Sequence, residues 1–239
     1  MNLFTPAHGV RSFSVIPRSV WLLMVIALAG QLTLTLNQSE PIARAEDLPQ
    51  APALNLLRIT SLNEPETLAR LLMIHLQTFD YQSGVSVPFH NLDYAALESW
   101  LERAIALDPR SSYPLHAASR LYAEIDDPER RLRMIRLIHR HFIKHPNHHW
   151  PWMAHAVLIT HHKLHDSEQA LVYARQLATL PEPGTTPTWV SEMAIPILED
   201  MGRFDEARAT IRSLLETNTH LKPEERAFLE ERYRSFAHR

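Results

Sequence analysis

The chain has 239 residues, 45% of them hydrophobic and 21% charged, which is enough apolar material for a sizeable core and too much for a disordered tail. It carries 17 prolines, 5 glycines and no cysteine. Disulfides, thiolate metal sites and a cysteine nucleophile are therefore excluded, and there is little material for glycine-rich phosphate loops. The net charge of −3 speaks against a nucleic-acid partner, which draws on a basic excess.

Residues 1–18 contain Arg11 and Arg18 and no acid, and they read as a cytoplasmic tail. Residues 19–39 carry no charge, and their centre reads VWLLMVIALAGQLTLTL from Val20 to Leu36. About 20 helical residues rise about 30 Å, the thickness of a hydrocarbon core, so this segment is expected to be a single transmembrane helix or signal-anchor. The basic tail before it and Glu40, Arg44, Glu46 and Asp47 after it place the remainder of the chain outside. The alternative is a cleaved signal peptide, because Ala43-Arg44-Ala45 fits a small-x-small cleavage site and would leave an exported soluble domain. Arginine outnumbers lysine 21 to 3, which points to a GC-rich bacterial genome. The expected location is thus the inner membrane, with the C-terminal domain in the periplasm.

Residues 40–63, with Pro41, Pro49 and Pro52, read as an extended linker. An atypical helix pair is expected over 64–110. Its first helix, PETLARLLMIHLQTF from Pro65, has an acidic start, and a loop over 81–91 leads to the second helix at 92–107.

From residue 111 to 220 the prolines give a period. Pro109, Pro146 and Pro183 are 37 residues apart. The same offset aligns Leu115 with Trp152 and Trp189, Ala117 with Ala154 and Ser191, Leu121 with Leu158 and Ile195, and Ala170 with Ala207. The turn between helices reads Pro128, His165, Gly202. Each unit holds two helices, the first over 113–125, 150–164 and 188–201 and the second over 129–145, 166–180 and 203–217. Ile135, Ile138 and Phe142 share one face of the second helix of the first unit, opposite Arg133, Arg136, Arg140 and Lys144. That basic stripe reads as a solvated face, with docking of an acidic partner as the other possibility. Pro196 should kink its helix or shorten it. A last helix over 221–239, starting at Lys222-Pro223-Glu224-Glu225, reads as a solvating cap.

Met201 to Leu215, MGRFDEARATIRSLL, resembles the tetratricopeptide repeat (TPR) at its helix-turn-helix junction, through Gly202, Asp205-Glu206-Ala207, Ile211 and Leu214. HDSEQALVYARQL from His165 matches through Glu168, Ala170, Leu171, Ala174 and Leu177, and Ala104 to Pro109 resembles the end of a second helix. The resemblance covers about 92–217. Departures are a period of 37 where the family has 34, and Arg133 and His141 at positions where small residues pack. It implies an all-α fold, a TPR-like α-solenoid of antiparallel helix pairs behind a single N-terminal transmembrane helix. It also implies a protein partner or peptide bound in a concave groove lined by first helices, as in a scaffold for cell-envelope assembly. By the repeat register, the residues this nominates are Trp152, His155, Ile159, His162 and Lys163; Trp189, Glu192, Glu199 and Asp200; and Leu115, Tyr122 and Asp126. Packing of Trp152 and Trp189 between repeats is the alternative.

Nine of the 15 histidines fall between His139 and His165. His141 and His145 are an i,i+4 pair, as are His161 and His165, and His141, His145 and His155 could converge at the turn near 145–150. A metal-binding or metal-delivery role is the alternative function, with ordinary surface histidines the preferred reading. No cofactor is expected. Neither a G-x-S-x-G, an H-E-x-x-H nor a P-loop pattern occurs, so the expectation is not an enzyme.

Overall fold

The computed structural model describes residues 17–37, 47–79, 81–82, 85–218 and 221–236. It divides into two units, Met1–Arg44 and Ala45–Arg239.

The first unit holds α1 (Arg18–Asn37). Its described side chains, residues 19–35, are exposed along the whole helix, Leu23 and Leu34 by about 70%. Among the described residues no helix is long and apolar enough to cross a membrane, so the span expected over 19–39 is not found there. The tail 1–16 and the cleavage site at 43–45 lie outside the described residues.

The second unit is built from helices. Its only described strands are a two-residue antiparallel pair, Tyr81–Gln82 with Val85–Ser86, in the expected loop. Residues 47–63 are not the extended linker that their prolines suggest. They form α2 (Leu54–Thr60), bury Leu48 and Leu57, and lie on the next helices. Trp100 Nε1 donates to the Pro49 carbonyl at 2.8 Å, and Arg103 Nε donates to that of Pro52 at 3.0 Å. The apolar run LNLLRIT gives this segment a face to bury, which outweighs the extended preference of the prolines beside it.

Then come α3 (Pro65–Thr78), α4 (Tyr94–Leu107), α5 (Tyr113–Arg120), α6 (Pro128–Lys144), α7 (Pro146–His162), α8 (Ser167–Thr179), α9 (Thr188–Glu192), α10 (Ala194–Asp200), α11 (Phe204–Thr217) and α12 (Pro223–Ser235). Proline occupies the first turn of α3, α5, α6, α7 and α12, where its missing N–H costs nothing. Aspartate caps α4, α6 and α8, while α11 has Arg203 at that position and no side-chain cap: Asp93 accepts from Ala95 N and Ala96 N, Asp127 from Arg130 N, and Asp166 from Gln169 N. Pro196 shortens its helix as expected, because the first helix of the last unit breaks at Met193 into α9 and α10. α7 departs from expectation: it starts at Pro146, one turn before residue 150, so that Pro151 lies inside it.

Packing follows the chain. α3 lies on α4, α6 on α7, α7 on α8, α10 on α11 and α11 on α12, and the extensive contacts join elements no more than two apart. One core runs through these pairs, with Leu97, Leu101, Tyr122, Ile135, Leu137, Ile138, Phe142, Met153, Leu171 and Ile211 among its buried members. The expected face of α6 is thus the core face.

Many polar bonds between elements span 31 to 42 residues, and two of them span 37. His139 Nε2 and Gln176 Oε1, register equivalents in α6 and α8, lie 2.7 Å apart. Thr188 Oγ1 donates to Glu225 Oε2, again 37 residues on. The Glu182 amide donates to Asn147 Oδ1 across 35 residues. The basic stripe on α6 is solvated at Arg136 and Lys144, which are exposed, and engaged by α4 at its other two members. Arg133 and Arg140 donate to Glu98 at 2.8 and 2.6 Å, and Arg140 donates to Glu102 at 3.0 Å, so these two members are tied to α4. Arg133 stands where Ala170 and Ala207 stand later, and its long side chain reaches α4 instead of packing tightly. The buried Arg131 donates to the carbonyls of Ala123, Ile125 and Lys163, tying the loop after α5 to the end of α7.

Candidate interaction surface

The structure sorts the nominated residues into three groups. The first is buried. Leu115 and Ile159 belong to the core, and Tyr122 is wholly inaccessible, with Phe89 edge-on to its ring at 5.7 Å and its carbonyl accepting from Tyr94 Oη at 3.0 Å. The physical reason is the end of α5. Leu121 leaves helical geometry at φ −120°, ψ −62°, and the following 3-10 turn carries Tyr122 inward. Tyr122 is therefore a core residue and not a docking residue.

The second group is tied up by neighbours. His155 Nε2 lies 3.5 Å from Glu124 Oε1, and Lys163 Nζ donates to the same carboxylate. Burial, with the Arg120 charge, pushes the His155 pKa down, and Glu124 opposes this. Trp152 is half-buried with His116 edge-on at 5.0 Å, and its indole N–H has no hydrogen-bond partner among the described residues. His162 is exposed at the end of α7, its ring 4.5 Å from that of His161. Asp200 accepts from His161 Nε2 at 2.8 Å, and Asp126 lies 3.7 Å from Arg131. Glu199, expected to face a partner, instead accepts from Arg232 of α12 at 2.8 and 2.6 Å, because the last helix folds back onto α10.

The third group is open. Trp189 on α9 is 50% exposed, braced by Trp150 with ring centroids 5.9 Å apart and edge-on. Glu192 is one turn further along the same helix. With Thr188 and with Lys222, Glu225 and Phe228 of α12 they line a cleft of about 600 Å³. Phe228 is 54% exposed. Burial raises the Glu192 pKa, Glu225 raises it further, and Arg232 acts against both. Glu225 accepts from the Lys222 amide at 2.9 Å and from Thr188 Oγ1 at 3.1 Å, which fixes the start of α12 against the start of α9. Sequence reading found Trp189 and Glu192 and missed the α12 wall. The signal available was Phe228, an aromatic residue in an otherwise charge-rich helix.

The histidines do not assemble as a metal would need. His155 faces Glu124, while His141 and His145 flank His149, with ring centroids 6.5 and 5.9 Å from it and planes 86° and 81° apart. No group of three or more histidine or carboxylate side chains among the described residues could hold a metal ion. His141 is engaged by Glu102 Oε2 at 2.9 Å, and His161 by Ser167 as well as Asp200. The edge-on rings pack as aromatic plates around His149. That residue is 1% exposed with neither ring nitrogen hydrogen-bonded, and burial together with His141, His145 and His148 pushes its pKa down to about 4.

Compared with family models, with curated proteins and with solved structures, the chain has no match in any of the three.

Proposed function

We propose that this chain is a scaffold: a TPR-like α-solenoid that recruits protein partners through its first-helix surface, held at the inner membrane by the N-terminal segment. The observation that carries the recruiting role is Trp189. At the same register Leu115 is fully buried, Trp152 is half-buried and Trp189 is half exposed, so the side chain grows as the packing demand for it vanishes. A large aromatic held rigid by a neighbour, yet open to water, is the kind of residue that anchors a partner. The solenoid reading is supported by helices whose extensive contacts are with near neighbours in the chain and by the His139–Gln176 contact between register equivalents.

The anchor reading is supported by the uncharged stretch from Ser19 to Ser39 and by the apolar side chains exposed along α1. With the basic residues preceding it, this orientation puts the second unit in the periplasm. A reporter fused to the C-terminus that is active only in the cytoplasm contradicts the orientation, and release of the full-length protein by alkaline carbonate contradicts the anchor. For the recruiting role, partners crosslinked to the full-length chain in membranes should be lost in the Trp152→Ala, Trp189→Ala double variant; equal recovery contradicts it.

A further inference from the structure

The cleft between α9 and α12 has a composition that selects its occupant. Its walls include two aromatic rings more accessible than any others on these two helices, Trp189 and Phe228. Its acids are Glu192, Glu224 and Glu225, against one cation, Lys222. Among the described residues the half-buried Glu192 carboxylate makes neither a hydrogen bond nor an ion pair, although it has lost part of its hydration. Arg232 of α12, whose charge reaches Glu192, is committed to Glu199, with its guanidinium 6.0 Å from the Phe228 ring centroid. A partly desolvated carboxylate with no direct ion pair, in a cleft lined by two exposed aromatic rings, is the chemistry that attracts an organic cation.

We propose that this cleft takes a lysine or arginine side chain from an extended segment of a partner protein, with Glu192 as its counter-ion and Trp189 and Phe228 as its walls. This rests on the scaffold reading and specifies the chemistry of the partner. The braced Trp189 presents its ring without loss of side-chain freedom on binding, and the cleft of about 600 Å³ has room for one long side chain and its backbone. Because burial already holds the Glu192 pKa up, a bound cation would lower it again, and binding weakens as the pH falls into the carboxylate range.

The test is selection of a random dodecapeptide phage library on the immobilised full-length chain. Enriched peptides are expected to share a lysine or arginine. Binding of the best of them should fall about tenfold or more in Glu192→Gln, an isosteric change that leaves packing intact, and in Trp189→Ala. Replacing the peptide arginine by citrulline should cause a similar loss. Peptides lacking a basic residue, no enrichment at all, or binding to both variants as tight as to the unsubstituted chain overturns the assignment. Peptides indifferent to Glu192→Gln and Trp189→Ala but weakened by Trp152→Ala overturn the cleft and leave the scaffold reading standing.

Discussion

Two residues carry conformational or electrostatic stress that a measurement can reach. His165 and Gly202 occupy the same turn position 37 residues apart, and both have positive φ, 55° and 71°. Glycine holds that conformation without a Cβ clash, and histidine does not. His165→Gly is expected to stabilise the chain by about 0.5 kcal/mol, and Gly202→Ala to destabilise it by about 1 kcal/mol, read from urea midpoints. His149 is the second. Its pKa lies at about 4 in the folded chain against about 6.5 in the unfolded one, so the folded state binds fewer protons between these values. Stability is complete above pH 6.5 and is lost as the pH falls toward 4. Between pH 7 and 5 the loss from this residue is about 2 kcal/mol, and His149→Leu should remove it. An unchanged pH dependence in that variant would show that the buried ring does not titrate as its surroundings require.

At the scale of elements, α4, α6 and α8 depend on capping aspartates, and α4 and α6 on the ion pairs between them. Asp127→Ala and Asp166→Ala should each cost about 1 kcal/mol in denaturant unfolding. Glu102 is lifted by burial, but the His141 and Arg140 hydrogen bonds outweigh this and hold its pKa at about 2. That contribution is present above pH 4.5 and is lost below it, a second acid step distinct from that of His149. These helices were readable in the chain because proline and aspartate mark their starts and alternation of apolar and charged residues marks their faces. α7 was misplaced at its start because Pro146 and Pro151 both fit a first turn, and only packing against α6 selects the earlier one. α2 was hidden by its prolines. Tyr122 and Glu199 were misjudged because the repeat register says neither where a first helix stops nor which residues the capping helix engages. In fact α5 stops at Arg120, and α12 covers α10 through Arg232. The aromatic lining of the open cleft was legible on α9 by the repeat register, which does not extend to α12, where Phe228 was the one cue.

In the second unit as a whole, each helix pair is held mainly by the pair beside it, so stability should be distributed along the chain and not shared uniformly. Native-state hydrogen exchange is expected to show α11 and α12 opening at lower free energy than α4, α6 and α7, whose buried side chains are denser. Uniform protection along the unit would contradict a stack of locally supported pairs. In the proposed scaffold role, a partner is held at the open aromatic surface. The most direct measurement is photo-crosslinking in the native cells from a benzophenone amino acid placed singly at Trp189, at Phe228 and at Arg136, an exposed position on α6. One discrete protein adduct is expected from positions 189 and 228, lost on Glu192→Gln, and none from 136. The same diffuse labelling from all three positions, or no adduct from any, would contradict it.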